Sequence, residues 1–415
     1  MKYSKLTTQI LVLGAVVLGM AKPALTLPAT SIAQSQPKAI VYSARIDSTT
    51  GRVLLKRVDW SDFKPVSVGT ELNQGDQIKP DKDVKVRVVC PNLSKPLVSM
   101  GVPSGLKTIC PVWEGIIAKA PPPSGILSGT NPLIPYLITP RHTLLLSNTP
   151  TFRWNGVTKA TQYTVTLVSP TGVVWQKQVK KTSIVYPSNP RLQSGTKYSL
   201  IIKANSGKSS QDEGTSNIDF RVLRQSEAEA IQTEVTKITK LGLSEQVTAL
   251  MLANFYSRYI LPQNTIQAYG LTAETFKSYN LSAEAIATLE ALLQRGQRAS
   301  KGGAEPSGHA TRWRSLSAGL TLTPIVYRSL GDIYWQTGLA QKAADNYLTA
   351  IKVAQGSEDL EQKTLAQFSL GEVYAATNNN KQAINWYSQA KNGYTLLSDN
   401  KRANFLQQQI ESLTQ

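Results

Sequence analysis

Leu330-Gly331-Asp332-Ile333-Tyr334 is followed by Ala343, Tyr347 and Ala350, and at a fixed offset of 40 residues Leu370-Gly371-Glu372-Val373-Tyr374 is followed by Ala383, Tyr387 and Ala390. Six identities fall on one register, with the spacing Leu-Gly-x-x-Tyr, then small, aromatic, small. Self-similarity at a period of roughly 20–50 residues marks a repeated supersecondary unit, which buries its apolar face by stacking on its neighbour. Composition agrees with helices here. From Ser226 onward Gly and Pro thin out while Ala, Leu, Gln and Glu rise, and Glu227 and Glu229 suit a helix start.

This spacing resembles the tetratricopeptide (TPR) repeat, a pair of antiparallel helices. In that packing Gly331 and Ala343 let the two backbones approach, Tyr334 and Tyr347 fill the space beside them, and Ala350 admits the next helix. Pro324 and Tyr327 sit where the first helix should begin. The usual period is about 34 residues. Here the extra length falls around Gln355–Asp359, so longer helices and a capped turn are expected; Gln355 and Thr395 stand where the family has Pro. The helical region is taken as 226–415, with clear repeats at about 324–357 and 364–397. A degenerate unit at about 244–295 pairs a helix over Val247–Tyr259 with one over Ser282–Leu292, and 260–281 is inserted between them. Residues 296–320 read as an exposed loop, and Ala403, Leu406, Ile410 and Leu413 form the stripe of a capping helix over 399–413.

The resemblance implies a protein-binding groove on the inner face of each first helix, at Arg328, Asp332, Trp335, Gln336, Phe368 and Glu372. Trp335 and Phe368 are its expected anchors, because aromatics dominate binding hot spots; packing of Trp335 between repeats is the competing role. The family's basic clamp for C-terminal carboxylates is not supported, because Asp332 and Glu372 stand where such a clamp places Asn. The groove is therefore expected not to favour an acidic peptide tail.

The preceding half reads as all-β. Strands are expected over Arg52–Val58 and Val84–Val89, with turns at Gly69 and Gly75-Asp76. The hairpin Gly69-Thr70-Glu71-Leu72-Asn73-Gln74-Gly75-Asp76-Gln77-Ile78, within 39–118, resembles the FecR-type periplasmic domain. That family signals through a membrane helix after the domain, which is not found here. The Gly-Asp pair reads as a turn. Pro-rich 119–137 is a semi-rigid linker. Residues 138–224 show short strands with regular turns. The order Pro150, Phe152, Trp154, Ala160, Tyr163, Leu192, Gly195, Tyr198 resembles bacterial immunoglobulin- and fibronectin III-like sandwiches, with Trp154, Tyr163 and Tyr198 as core.

The net charge of +18 is unevenly placed: 121–225 holds 12 basic and 3 acidic residues, whereas 226–415 holds 17 and 16. Lys177, Lys180, Lys181, Lys197 and Lys203 define a basic surface on the sandwich. Its alternatives are a solvated face that guards strand edges and a contact for an acidic envelope polymer or membrane headgroups. No nucleic-acid motif is present.

Lys2 and Lys5 precede the apolar run Ile10–Met20, and small residues follow, which is the secretory pattern over 1–33. Ser31-Ile32-Ala33 is the preferred cleavage site and Lys22-Pro23-Ala24 the second; a retained anchor is the alternative. The run falls short of the roughly 20 residues that span a bilayer, and no second long run follows. The expected location is the periplasm or cell envelope. In such an oxidising compartment Cys90 and Cys110 are expected to pair, with two buried thiols as the alternative. No G-x-S-x-G, G-x-x-x-x-G-K-[ST], H-E-x-x-H or C-x-x-C occurs, and His142 and His309 stand alone. The expectation is an exported, non-enzymatic scaffold without cofactor or metal, binding a protein or peptide. A polymer-binding role for the sandwich and a FecR-like regulatory role are the alternatives.

Overall fold

The computed structural model describes residues 42–99, 101–111, 127, 129–214, 218–259, 280–300 and 322–415. These all belong to one compact unit, Pro37–Gln415. The leader over 1–33, residues 119–126 and 128 of the linker, most of the 260–281 insertion, and residues 301–320 of the expected loop with His309 lie outside the described residues. The order is strands up to Val222, then helices.

The first module pairs two antiparallel four-stranded sheets. One contains β1 (Ala44–Thr49), β4 (Glu71–Leu72), β6 (Val86–Val89) and β7 (Leu97–Val98); the other contains β2 (Val53–Lys56), β3 (Lys64–Val66), β5 (Gln77–Pro80) and β8 (Ser104–Gly105). Ala44, Ile46, Val53, Leu55, Leu72, Ile78, Val86 and Val88 are buried between them. β2 stops at Lys56, short of the expected Val58, which is left exposed while Arg57 turns toward the helices. A four-residue helix, α1 (Leu106–Ile109), carries Cys110 to the end of β6. There Cys90 and Cys110 form a buried disulfide, with Cα atoms 5.6 Å apart.

The second module packs a five-stranded sheet on a three-stranded one. The larger is ordered β10 (Thr143–Leu145), β16 (Asp219–Val222), β15 (Lys197–Ala204), β12 (Tyr163–Ser169), β13 (Gly172–Val179), and the smaller is β14 (Ser183–Val185), β11 (Thr151–Trp154), β9 (Leu137–Thr139). Phe152, Trp154, Tyr163, Tyr186, Tyr198 and Phe220 fill the space between the sheets, with Trp154 and Tyr163 meeting edge to face at 5.6 Å. β13 runs for eight residues, because Gly172 at φ +123° closes a tight turn and the strand then pairs with β12 along its length.

The helical layer comprises, among the described residues, α2 (Gln225–Thr239), α3 (Glu245–Arg258), α4 (Ser282–Ser300), α5 (Pro324–Gln336), α6 (Ala340–Gly356), α7 (Leu360–Ala376), α8 (Asn380–Leu396) and α9 (Asn400–Thr414). α4 runs on to Ser300, so 296–300 is helix rather than the expected loop. Pro324 occupies the first turn of α5, where a missing N–H costs nothing. Gly338, Glu358, Asn378 and Ser398 all have positive φ, one every 20 residues. Each ends a helix, and the side chains of Asp359, Asn379 and Asp399 accept the amide three residues on to start the next. The long period is thus shared between both helices of the unit: α6, α7 and α8 have 17 residues each. A Cβ on Gly331 would lie 2.6 Å from Tyr347 Cε1, and Gly371 has the same relation to Tyr387. Only glycine lets these helix pairs close.

Candidate functional site

The first helices turn one stripe inward. On α3 it consists of Leu250, Ala253, Asn254, Ser257 and Arg258; on α5 of Arg328, Ser329, Asp332, Ile333 and Gln336; on α7 of Leu365, Phe368 and Ser369; on α9 of Arg402, Phe405 and Leu406. Spacings of three and four residues place each set on one helix face. The four faces line a cavity of about 630 Å³. Tyr394 of α8 also lines it, and the remaining wall comes from the first β module, through Arg45, Glu71 and Asn73.

That module is docked on the N-terminal ends of these helices. Arg45 and Asp47 break the apolar pattern of β1, yet both are buried, because the outer face of the strand is covered by α3. Asp47 accepts the Ser244 amide at 2.8 Å, and Gln246 Nε2 donates to the Val68 carbonyl at 3.1 Å. At α7, the Ser67 amide donates to Asp359 at 3.1 Å. Arg57 donates from Nε and Nη2 to the two oxygens of Glu361 at 2.7 and 2.9 Å, a bidentate pair. Its Nη1 holds Asp76. Asp76 is therefore more than a turn residue: it is buried beside Gly75, accepts the Asn73 amide, and fixes the arginine that reaches the helices. Burial alone would lower the Arg57 pKa, but Glu361 and Asp76 raise it. Burial also raises the carboxyl pKa of Asp76 and Asp359.

The second module grips the opposite side. Arg141 donates to the Thr337 carbonyl at 2.6 Å, and Arg153 pairs with Glu290, which also accepts the Tyr334 hydroxyl at 2.5 Å.

Of the six groove residues expected from sequence, Arg328, Asp332, Gln336 and Phe368 line the cavity. Trp335 and Glu372 do not; Trp335 packs half-buried against the helical core. Arg328 donates to Gln362 and Asp332, each at 2.8 Å, and Asp332 also accepts the Tyr347 hydroxyl at 2.9 Å. The carboxylate that counted against an acidic ligand is thus held by groups within the repeat.

The lysines do not form one face. Lys177 pairs with core-facing Val165 across β13 and β12, whereas Lys203 pairs with outward-facing Thr164 across β15 and β12. They stand on opposite sides of the sheet. Lys180 and Lys181 lie beyond the end of β13, and Lys197 is ion-paired with Asp219 at 2.8 Å.

Sequence reasoning missed Arg45, Arg57, Glu71, Arg258, Glu361 and Arg402. Their significance arises only where modules meet. One local signal was present: Arg and Asp at alternate positions of an otherwise β-like stretch, Ala44–Ile46 and Asp47.

Among the described residues no group of three or more His, Cys, Asp or Glu side chains could hold a metal ion, and no helix is long and apolar enough to cross a membrane. Residues 322–395, which cover α5 to α8, match the tetratricopeptide repeat family model. No curated protein matches the chain.

Proposed function

We propose that this chain is an exported, non-enzymatic scaffold that binds a protein partner in the inner groove of its helical repeats. The carrying observation is that the inward stripes of α3, α5, α7 and α9 converge on one cavity with half-buried Phe368 in its wall. TPR units are protein-interaction repeats, and two of them supply the centre of this wall. In this reading the groove is not an open concave face. The first β module, FecR-like by its hairpin, already occupies the N-terminal rim of the helices, and a partner segment enters what remains. The basic head and short apolar run of the first 33 residues support export, and the Cys90–Cys110 bridge suits an oxidising compartment.

The polymer-binding alternative loses support from the split of Lys177 and Lys203 across the sheet and from the use of Lys197 by Asp219. The test is crosslinking in intact cells followed by capture of the full chain, comparing wild type with Phe368→Asp and with the exposed-surface control Lys181→Ala. Loss of a partner with Phe368→Asp alone is the expected result. An identical partner set in all three would refute a groove role.

A further inference from the structure

The cavity wall is electrostatically incomplete. Four arginines line it, Arg45, Arg258, Arg328 and Arg402, against two carboxylates, Glu71 and Asp332. Three of the arginines are engaged. Arg45 donates to the Gly69 carbonyl at 2.9 Å and to Glu71 at 3.3 Å. Arg328 is held by Asp332 and Gln362, and Arg402 pairs with Asp399 at 3.4 Å while lying over the Tyr394 ring. Arg258 is different. In the last turn of α3, its side chain makes no ion pair or hydrogen bond among the described residues, and its Nη1 is buried without a partner. Burial lowers its pKa; Glu71 opposes this, and the nearby Arg45 adds to it. Glu71 cannot neutralise both: burial pushes its carboxyl up, but Arg45 first and then Arg258 hold it below the usual range.

Glu71 and Asp332 favour the charged form of Arg258 from a distance, but both are held by other arginines, and a partly buried guanidinium with an unmatched Nη1 is costly. The missing group is an acceptor that matches its fork, which a carboxylate does bidentately. Around the arginines the wall is apolar, through Leu250, Ile333, Leu365, Phe368 and Phe405, and Phe405 is half-exposed. A cavity of about 630 Å³ is in the size class that takes a compact ligand of a few residues. Resting on the reading of the groove as a protein-binding site, we infer that this cavity takes an acidic and apolar peptide segment, with a side-chain carboxylate seated on Arg258 and apolar side chains against Phe368 and Phe405. Because Arg45 belongs to the β module and Arg258 and Arg328 to the helices, the bound carboxylate joins the two modules.

The test is calorimetric titration of the intact protein with a tetrapeptide alternating leucine and glutamate, capped at both ends so that no terminal carboxylate contributes. A glutamine-for-glutamate version and inorganic phosphate are the comparison probes. The acidic peptide should bind at least tenfold more tightly than the glutamine version, and phosphate should not displace it. Arg258→Gln should weaken the acidic peptide at least tenfold, whereas Lys203→Gln should leave it unchanged. In the absence of peptide, Arg258→Gln should raise the melting temperature, because it removes an unpaired buried charge; a merely structural arginine would give the opposite sign. Arg258→Lys keeps the charge without the fork and should fall between the two. Equal binding of the two peptides, no binding, displacement by phosphate, or an unchanged Arg258→Gln would each overturn the inference. Capture of the cellular partner that is lost with Phe368→Asp but kept with Arg258→Gln would retain the scaffold reading and remove the carboxylate site.

Discussion

Arg57→Met should loosen the first β module from the helices while leaving both folded. The substitution keeps the side chain's bulk and removes its charge. It leaves Asp76, 2% exposed, and Glu361, 4% exposed, without their cation. Breaking a buried pair by removing one partner costs about 3–5 kcal/mol. Glu361→Gln should cost less, about 1.5–3 kcal/mol, because Arg57 keeps Asp76 and only one charged hydrogen-bonded pair is weakened. Combined, the two changes orphan one carboxylate rather than two, so the double variant should fall short of the sum by about 1–3 kcal/mol. Native-state hydrogen exchange of amides in β2 and β5 reads the opening free energy of this module without assuming that the whole chain unfolds in one step. Acidity supplies a second arm. Burial already raises the Asp76 pKa, and loss of Arg57 removes the largest influence holding it down. A carboxyl whose folded pKa lies above its unfolded value of about 3.9 favours the folded state at low pH and loses that contribution as pH rises through the folded pKa. The deficit of Arg57→Met should therefore be full at pH 7 and shrink toward pH 4. Additivity within about 0.5 kcal/mol, or a deficit independent of pH, would refute a load shared across the interface.

Gly331→Ala drives a methyl group into the Tyr347 ring and should destabilise the helical layer by about 1–3 kcal/mol in thermal melts followed by circular dichroism. Gly356→Ala, whose Cβ would meet nothing within 4 Å, should be neutral or stabilising, and equal effects would discredit the close-approach account. Glu71 behaves oppositely to Asp76: its folded pKa is lowered, so its contribution is present above the unfolded value and is lost as pH falls through the folded one. Glu71→Gln should flatten the acid side of the stability profile, and an unchanged profile would mean that Arg45 and Arg258 do not depend on it. Protein isolated without reductant should show no reactive thiols, and changing both cysteines to alanine should cost about 3 kcal/mol for a loop of this size; two titratable thiols would exclude the bridge.

The repeat was legible because one local rule governs it twice. Gly331 against Tyr347 and Gly371 against Tyr387 are contacts within single hairpins, and their spacing survives in the chain. The sandwich aromatics were legible because large apolar side chains at strand spacing have few other places to go. The interface was not. Arg57 and Glu361 are 304 residues apart, and a charged residue at the end of a strand reads by default as solvated. Arg45 and Asp47 point outward from their own sheet and are buried only by another module. The basic surface failed for a different reason. Clustering along the chain does not determine the side of a sheet, and only the pairing of both strands with β12 separates Lys177 from Lys203.

In a solenoid each repeat touches only its neighbours, so curvature is soft and accumulates like the bend of a bow. Here the first β module is tied to the start of α3 at Ser244 and Gln246, to the start of α7 at Asp359 and Glu361, and to the turn before α9 through Ser61 and Ser398. It spans helices that are not adjacent in the stack, as a string spans a bow. The width of the groove is then set by the length of this string and not by the sum of the angles between repeats. Cutting one tie, Arg57 to Glu361, should therefore slacken the span at α7 while the ties at Ser244, Gln246 and Ser398 still hold its two ends.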